Sequence, residues 1–324
     1  MLAPVAFFVY KRFDHTKRTF EALAANPFAS ESDLFIFSDG PQNEHVIDDV
    51  QRVREYVRQV KGFKTITLIE HKQNQGLAKS LIDGISRLCN QFGRVIVIED
   101  DVLVSPNFIE FMNDALEKYA YEDQVFSICG FWPLPFNPKY NEAFFLNYFA
   151  AWGWGTWKRA WDYYDYKASG WENLLKDKRM AWDFDLQGRY HFSNMLLTQA
   201  KGELKTWDIQ WLWTIYHRKK LCLFPPYSIT SNIGFDDMGS HTVSRSEDWI
   251  VQNVRLGIKQ NVIMPFKFVI DWKKRTALGK FYYFPIKKLR GFSLRGIFWT
   301  FYRALRYAFL FIPYEIKIKK SIRL

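Results

Sequence analysis

Short apolar runs alternate with amphipathic stretches over the first 120 residues. Four runs of strand length lie at Val5–Val9, Leu34–Phe37, Thr65–Ile69 and Val95–Ile98. Each is followed by a stretch whose apolar residues recur at helical spacing. A strand that is apolar at nearly every position is typical of a sheet covered by helices on both faces. The repeat predicts an α/β fold built on a doubly wound mixed sheet.

The fourth run ends in three consecutive acids, Glu99, Asp100 and Asp101. Adjacent carboxylates repel one another and resist burial, so a core strand that carries them to its edge calls for a compensating cation. Oxygen ligands without a neighbouring His or Cys favour Mg²⁺ or Mn²⁺ that bridges to a phosphate-bearing substrate. The alternative is an acidic surface loop that binds no metal.

Two common nucleotide-binding turns are absent from the sequence. No Gly-x-Gly-x-x-Gly motif follows the first run, and no Gly-Lys-Ser/Thr phosphate loop is present. The sequence therefore fits neither dinucleotide oxidoreduction nor P-loop phosphoryl transfer. Polar residues nevertheless follow the strands, and ligands of open α/β sheets bind outside the carboxyl ends of the strands.

Positive charge is concentrated in the last sixth of the chain. The 324 residues carry a formal net charge of +11, and residues 267–324 hold fifteen Lys and Arg against two acids. Residues 1–266 are therefore close to neutral, which argues against a protein that binds nucleic acid over its whole surface. The three cysteines are widely spaced, and we expect buried reduced thiols in a cytosolic setting.

The segment 95–102, followed by Ser-Pro-Asn-Phe-Ile-Glu-Phe at 105–111, resembles the metal-binding strand of GT-A fold glycosyltransferases. The resemblance is to the N-acetylglucosaminyltransferase that acts on the mannose core of N-glycans and to its bacterial relatives, whose acidic motif is also Glu-Asp-Asp. It implies a Rossmann-like nucleotide-binding half and an acceptor half. Glu99 and Asp100 would then contact the nucleotide sugar, and Asp100 and Asp101 would hold the metal.

The same resemblance assigns residues at the other strand ends. It places Tyr10 and Arg12 near the nucleotide, and Asp39 at the uracil or ribose. The turn that contains Gly76 and Lys79 is similar to the Asn-x-Gly-x-x-x-Ala turn of family 2 sugar transferases, although the Ala falls one place early.

Residues 144–157 alternate aromatic and small side chains. Glycine lets a backbone approach a ligand closely, and a tryptophan face stacks on sugar C–H bonds. The segment resembles the Gly-Trp stretch that lines the acceptor side in the family, so Trp154 is a candidate ligand contact. The alternative is an aromatic core strand.

Asp208 is the candidate general base. It lies between tryptophans at the predicted start of a helix, where partial desolvation and the helix dipole suit a carboxylate for proton abstraction near neutral pH. Inverting family members place an Asp at the first turn of a helix in this region. Asp208 could instead be only a helix cap, and Asp183 and Asp185 are the competing candidates.

A polar, glycine-containing stretch at 231–242 predicts a mobile loop. It resembles the family's Gly-x-x-x-x-Ser-His loop that orders over the nucleotide sugar, which makes Ser240 and His241 candidate contacts to the diphosphate or metal. A lone His on a polar loop is otherwise simply solvated.

The tail, residues 267–324, mixes basic and aromatic residues in an amphipathic pattern around Phe298–Arg306. Such a helix is typical of the headgroup region of anionic membranes. The alternatives are a nucleic-acid surface and a helical element packed on the catalytic domain. We expect a catalytic domain over 1–266, with a nucleotide and metal half at 1–124 and an acceptor half at 125–266, followed by the tail.

These features together predict an inverting, metal-dependent glycosyltransferase. The resemblance implies a nucleotide-diphosphate sugar as the donor, with a UDP-sugar carrying N-acetylglucosamine suggested by that analogy alone, and a hydroxyl of a glycan or lipid-linked molecule as the acceptor. We expect a cytoplasmic protein, peripheral on the inner face of the membrane, with no nucleic-acid partner. Two other classes stay open: a sugar-nucleotide pyrophosphorylase and a non-catalytic membrane-surface module.

Overall fold

A computed structural model describes residues 1–134, 141–234 and 262–280 of the chain. Its strands form an eight-stranded sheet in the order β3-β2-β1-β4-β8-β6-β9-β7 and a two-stranded sheet of β10 and β5. The strands are β1 Val5–Val9, β2 Asp33–Ser38, β3 Thr65–Glu70, β4 Arg94–Glu99, β5 Val102–Val104, β6 Val125–Cys129, β7 Phe144–Leu146, β8 Trp154–Trp157, β9 Leu221–Phe224 and β10 Thr230–Asn232.

The described residues contain nine α-helices between and beside the strands, in addition to helical residues 272–280. Two short 3-10 turns, Ala29–Glu31 and Glu44–Val46, precede β2 and α2. The α-helices are α1 Phe13–Ala24, α2 Ile47–Val57, α3 Leu77–Phe92, α4 Phe108–Lys118, α5 Lys158–Trp161, α6 Asn173–Lys176, α7 Lys178–Phe184, α8 Phe192–Ala200 and α9 Asp208–His217.

The predicted doubly wound mixed sheet is confirmed. β1, β2, β3 and β4 pair in parallel, whereas β8 joins β4 and β6 antiparallel. Along β1, Ala6 and Phe8 enter one core cluster, and Val5, Phe7 and Val9 enter the other. Because successive strand side chains point to opposite faces, this division shows that both faces of the central strands are buried.

The sequence located the first four strands to within one residue at each end. The acidic turn differs, because the short strand β5 follows the acids and pairs antiparallel with β10 before α4 begins. Helix α4 begins after Ser105-Pro106, with Asn107 as its N-cap. One sheet runs through both predicted halves, because β4 of the first half pairs directly with β8 of the second.

Tryptophans fill the core on one side of the C-terminal half. The indole of Trp154 stacks on that of Trp207 with ring centroids 5.3 Å apart, and Trp161 meets Trp211 edge to face at 5.0 Å. All four side chains are buried. Large aromatic rings bury much apolar area at a small cost in side-chain entropy, so this cluster makes a rigid wall beneath the start of α9.

Residues 262–280 lie along the β7 edge of the sheet. Isolated bridges join Ile263 to Glu142 and Ile270 to Phe145, and Leu278 is fully buried. The described beginning of the basic tail therefore packs on the body of the protein. Within the described ranges, no helix is long and apolar enough to cross a membrane.

The three cysteines are buried and unpaired, as expected. Burial raises the pKa of the Cys89 thiol to about 12, and burial raises that of Cys222 well above its ordinary value. Reactive thiolates are therefore disfavoured at Cys89 and Cys222.

Candidate active site

Polar side chains gather where the four parallel strands end. β3, β2, β1 and β4 lie side by side, so the residues that follow them meet along one edge of the sheet. Asp39 follows β2, Arg12 lies three residues after β1, and Asp100 and Asp101 follow β4. The sequence predicted these residues to share a site, and the structure brings them together.

Arg12 joins the two aspartates of the acidic turn. Its Nη2 donates a hydrogen bond to Oδ1 of Asp100 and another to Oδ2 of Asp101, the latter at 2.9 Å. Burial raises the pKa of Asp100 to about 6, and the Arg12 guanidinium opposes that rise. Burial alone would lower the pKa of Arg12, but the two carboxylates raise it above its ordinary value. The guanidinium thus stabilises a pair of adjacent negative charges.

Backbone contacts hold the acidic turn in place. Thr19 Oγ1 donates to the carbonyl of Asp100 at 2.9 Å, and the amide of Ile233 donates to the carbonyl of Asp101 at 2.8 Å. A Cβ on Gly234 would lie 2.2 Å from Oδ2 of Asp101 and 2.9 Å from Nη1 of Arg12. The backbone after β10 therefore lies directly against the carboxylate, and only glycine fits there without a shift.

Glu99 connects this cluster to Asp208. Burial raises the pKa of Glu99 well above its usual range, and the charges of Asp101 and Asp100 raise it further. The Asp208 carboxylate is also close enough to raise it. Tertiary folding has therefore brought the first residue of α9 within electrostatic reach of the end of β4.

Among the described residues, one carboxylate oxygen of Asp208 accepts hydrogen bonds and the other accepts none. Thr206 Oγ1 donates to its Oδ1, and the amide of Ile209 donates to the same oxygen at 2.9 Å. The neighbouring Trp207 and Trp211 are buried, so the start of α9 is anchored in the core. Within the described ranges, its Oδ2 has no hydrogen-bond partner, and this oxygen is the one left to accept a proton.

The two competing aspartates have structural partners. Asp183 accepts from Nη1 of Arg275 at 2.9 Å and from the Tyr216 hydroxyl at 3.0 Å. Asp185 is fully buried and accepts from the amide and the hydroxyl of Ser193, at 2.7 and 2.8 Å. Both oxygens of each carboxylate are thus engaged within the protein. These contacts favour Asp208 among the three candidates.

Asp39 organises the turn before α3. Its Oδ1 accepts from the amides of Gly40 and Gln75, both at 2.8 Å, and its Oδ2 accepts from the amide of Gly76 at 2.9 Å and from Nδ2 of Asn74 at 3.1 Å. Four hydrogen bonds use the ordinary accepting capacity of a carboxylate. In this structure Asp39 therefore shapes the turn, and its predicted contact to uracil or ribose stays a prediction.

Three other predicted residues lie near the same edge. The Tyr10 hydroxyl accepts from the amide of Gln42 at 3.1 Å. Gly76 has a φ of 79° at the N-cap of α3, in the left-handed region that favours glycine. Lys79 forms an exposed ion pair with Asp83 one helical turn on, so its side chain is directed along α3.

The side chain of Trp154 is too deeply buried to contact a ligand. Its side chain is 0% exposed and packs between Phe149 and Trp207. Its ring presents no accessible face for stacking on a sugar, which makes it part of the wall that supports α9. Trp152, which is only partly buried, lies beside Gly153 and Phe131 nearer the surface. Ser240 and His241 lie outside the described residues.

The donor chemistry at the acidic turn suits a phosphate-bound divalent cation. Among the described residues, no group of three or more His, Cys, Asp and Glu is arranged to enclose a metal ion. Mg²⁺ and Mn²⁺ that bridge to phosphates need only one or two protein carboxylates, because phosphate and water oxygens complete their coordination. Asp100 and Asp101, adjacent and partly compensated by Arg12, fit that mode of binding.

Sequence reasoning missed several residues that hold the site together. Thr206 carried a local signal, since a hydroxyl two residues before an acid at a helix start commonly bonds to it. Arg54 had no such signal in the sequence. Its Nη2 donates to the carbonyls of Asp39 and His71 at 3.1 and 2.7 Å, and these bonds tie the ends of β2 and β3 together. Such contacts join residues that are distant in sequence.

No protein-family model matches the chain, and no curated protein matches it in sequence. Among solved structures, the chain is similar to S. aureus TarS 1-349 in complex with UDP-GlcNAc, at 10% identity and a TM-score of 0.41 over 76% of this chain and 63% of that one. It is also similar to the mannosyltransferase PcManGT from Pyrobaculum calidifontis in complex with GDP-Man and Mn²⁺, at 10% identity and a TM-score of 0.35 over 67% of this chain and 74% of that one.

A further crystal structure of S. aureus TarS is 13% identical, with a TM-score of 0.30, over 44% of this chain. The chain spans only 25% of the length of that TarS structure. A solved mannosyltransferase is thus among the structures similar to this chain. At these TM-scores the likeness by itself assigns neither an activity nor a substrate.

Proposed function

We propose that the chain is an inverting, metal-dependent glycosyltransferase that uses a nucleotide-diphosphate sugar. The observation that carries the proposal is the meeting of two acidic groups from distant parts of the chain. Asp208 at the start of α9 lies within electrostatic reach of Glu99 at the end of β4, next to the paired Asp100 and Asp101. A general base beside a phosphate and cation site is the arrangement that inverting sugar transfer requires.

The residues divide the work between donor and acceptor. Asp100 and Asp101 would hold Mn²⁺ or Mg²⁺, which neutralises the charge of the departing nucleotide diphosphate. Arg12 uses only its Nη2 for the two aspartates among the described residues, so its Nη1 and Nε donors are free to bind a phosphate oxygen. Asp208 takes the proton from the acceptor hydroxyl as that oxygen attacks the anomeric carbon.

The proposed donor and acceptor classes follow from the family resemblance in the sequence. A UDP-sugar is the preferred donor, with N-acetylglucosamine as the sugar to test first. The acceptor would be a hydroxyl of a glycan or of a lipid-linked molecule. Tyr10, Asp39 and the turn at Gly76 and Lys79 line the strand ends where a nucleotide would lie, because ligands of such sheets bind outside these ends.

The first experiment screens nucleotide-sugar hydrolysis by the full-length protein. UDP-GlcNAc, other UDP-sugars and GDP-Man are incubated with Mn²⁺, with Mg²⁺ or with EDTA, and released nucleoside diphosphate is measured. We expect slow release from one donor class that requires the divalent cation. Release that is unchanged in EDTA would overturn the metal assignment. In a parallel incubation with added pyrophosphate, conversion of the nucleotide sugar to nucleoside triphosphate and sugar 1-phosphate would instead identify a pyrophosphorylase.

The second experiment tests the residues that would hold the cation. Asp100→Ala and Asp101→Ala are compared with Asp14→Ala, a change of an exposed acid in the first turn of α1. UDP binding by calorimetry should lose its dependence on Mn²⁺ in the first two variants and keep it in the third. Either acidic-turn variant keeps one carboxylate partner for Arg12, so we expect the fold to survive. Unchanged Mn²⁺ dependence in both would show that the cation binds elsewhere.

A further inference from the structure

Large apolar side chains are exposed along one short segment. Ile263, Phe266, Val269 and Trp272 have exposed fractions of 54%, 83%, 64% and 54%. They account for four of the twelve exposed large hydrophobic residues in the described ranges, within ten positions of the chain. Scattered exposed apolar residues are ordinary, but a contiguous group marks an interaction surface.

The opposite side of the segment is firmly attached. Met264, Phe268 and Ile270 pack against the core, and the Tyr119 hydroxyl donates to the carbonyl of Pro265 at 2.7 Å. Further along, Arg275 is 2% exposed and bonds to Asp183. The outward orientation of the four apolar side chains is therefore set by an anchored backbone and is not the result of a detached end.

Positive charge is interleaved with these apolar side chains. Exposed Lys267 lies between Phe266 and Val269, and exposed Lys273 follows Trp272. Nζ of Lys118 lies 3.7 Å from the centre of the Phe266 ring. The one acid of the segment, Asp271, accepts from the amide of Lys274 and so caps the helical residues 272–280. The sequence that follows, 281–324, contains ten Lys and Arg and a single acid.

We propose that this exposed strip, formed by Ile263, Phe266, Lys267, Val269, Trp272 and Lys273, binds the headgroup region of an anionic membrane. Aromatic and aliphatic side chains enter the boundary between headgroups and acyl chains, while lysines pair with lipid phosphates. Nucleic acid would explain the lysines and the aromatic rings, but it offers nothing to the exposed aliphatic side chains of Ile263 and Val269. An anionic membrane is therefore the partner that accounts for both the lysines and the apolar side chains of the strip. The proposal does not depend on the proposed enzymatic activity.

The strip would orient the protein on the membrane. It lies on the segment that runs along the β7 edge of the large sheet, and β7 is the edge strand farthest from β3 in the strand order. A bilayer bound there, together with the basic sequence that follows, would hold the protein at the surface without a spanning helix. This contact is peripheral, so it should weaken at high salt.

The test measures binding of the full-length protein to two kinds of vesicle by flotation. One contains phosphatidylcholine with 30% phosphatidylglycerol, and the other contains phosphatidylcholine alone. We expect binding to the anionic vesicles at low salt and at least tenfold weaker binding to the neutral ones. Phe266→Ser/Trp272→Ser and Lys267→Glu/Lys273→Glu should each weaken binding to anionic vesicles by about tenfold.

The matched control is Tyr121→Ser/Trp182→Ser, which removes two exposed aromatic residues from other surfaces, 96% and 41% exposed. Its binding should stay within twofold of the wild type, and melting temperatures should show that all variants are folded. Binding of the strip variants at the control level would overturn the proposal. So would equal binding to neutral vesicles, or a preference for single-stranded or duplex nucleic acid over anionic vesicles in direct competition.

Discussion

Two groups of acids in the same protein have opposite surroundings. Asp183 and Asp185 on and after α7 have both carboxylate oxygens bonded to protein donors, namely Arg275, Tyr216 and Ser193. Asp208 at the start of α9 accepts hydrogen bonds at one oxygen and lies within electrostatic reach of Glu99 at the end of β4. All three aspartates lie beside tryptophan or phenylalanine in the sequence.

The comparison separates acids that stabilise the fold from acids that could take part in catalysis. A carboxylate whose acceptors are all satisfied gains nothing from a ligand, and its loss leaves buried donors unpaired. A carboxylate with a free oxygen near other acids can accept a proton or share a cation. The predictions below change the acids of both groups, or residues next to acidic side chains, and compare activity with stability.

The largest effect is expected for Asp208→Asn. The change keeps an oxygen to accept from Thr206 and the Ile209 amide, but it removes the group that takes the proton. We expect transfer to fall by roughly 10²- to 10⁴-fold, the usual range for a general base, with little change in donor affinity. Steady-state kinetics with the donor found in the screen provide the measurement.

Asp183→Asn is the matched control for that variant. It makes the same chemical change beside the same type of residue, and we expect transfer per folded molecule within a few-fold of the wild type. Nearly normal transfer by Asp208→Asn, or a collapse of transfer in folded Asp183→Asn, would reverse the assignment of the two acids.

Arg275→Met should cost stability and leave the chemistry intact. Arg275 is buried and donates to Asp183 and to Oδ1 of Asn147, so its loss leaves a carboxylate and an amide without their partner. We expect the free energy of unfolding to fall by about 3 kcal/mol, the lower end for a broken buried ion pair, because Asp183 is partly exposed. Urea denaturation measures it.

Lys273→Met serves as the control, since it removes an exposed cation two positions away. Its unfolding free energy should stay within about 0.5 kcal/mol of the wild type. An equal loss in both variants would mean that the segment 262–280 is held by general packing and not by the Arg275 contacts.

Asp185→Ala should show a smaller loss of stability. The amide of Ser193 in the first turn of α8 would lose its acceptor inside the core, and an unpaired buried donor costs about 1 to 3 kcal/mol. Donor binding should be unaffected, because both carboxylate oxygens of Asp185 accept from Ser193 at the start of α8. A loss of UDP affinity without a loss of stability would place Asp185 in the functional group of acids.

Gly234→Ala should produce the smallest change, confined to the donor site. Its Cβ would lie 2.2 Å from Oδ2 of Asp101, so that carboxylate or the backbone after β10 must move. We expect Mn²⁺-dependent UDP affinity to fall by about tenfold, equivalent to about 1.4 kcal/mol, with the melting temperature nearly unchanged. Wild-type affinity would show that the acidic turn tolerates the displacement and that its geometry is not critical.

Much of the fold could be predicted because its signals are local. The buried run 95–98 and the acids after it lie next to each other in the chain, and the helical spacing of α1, α3 and α4 repeats within a few residues. The start of α9 at Asp208 was visible for the same reason. The sequence did not show that α1 begins at Phe13 or that a short strand, β5, follows the acidic turn.

The sequence by itself determined which acidic residues could bind a cation or accept a proton at this site. The tertiary structure decided which of those carboxylates are bonded to other groups of the protein. The run of three acids, the aspartate at a helix start and the basic tail are visible in the order of residues. The pairing of Arg12 with Asp100 across 88 positions and of Arg275 with Asp183 across 92 positions is not. A carboxylate is structural or reactive according to the donors that surround it, and those donors arrive only when distant segments pack together.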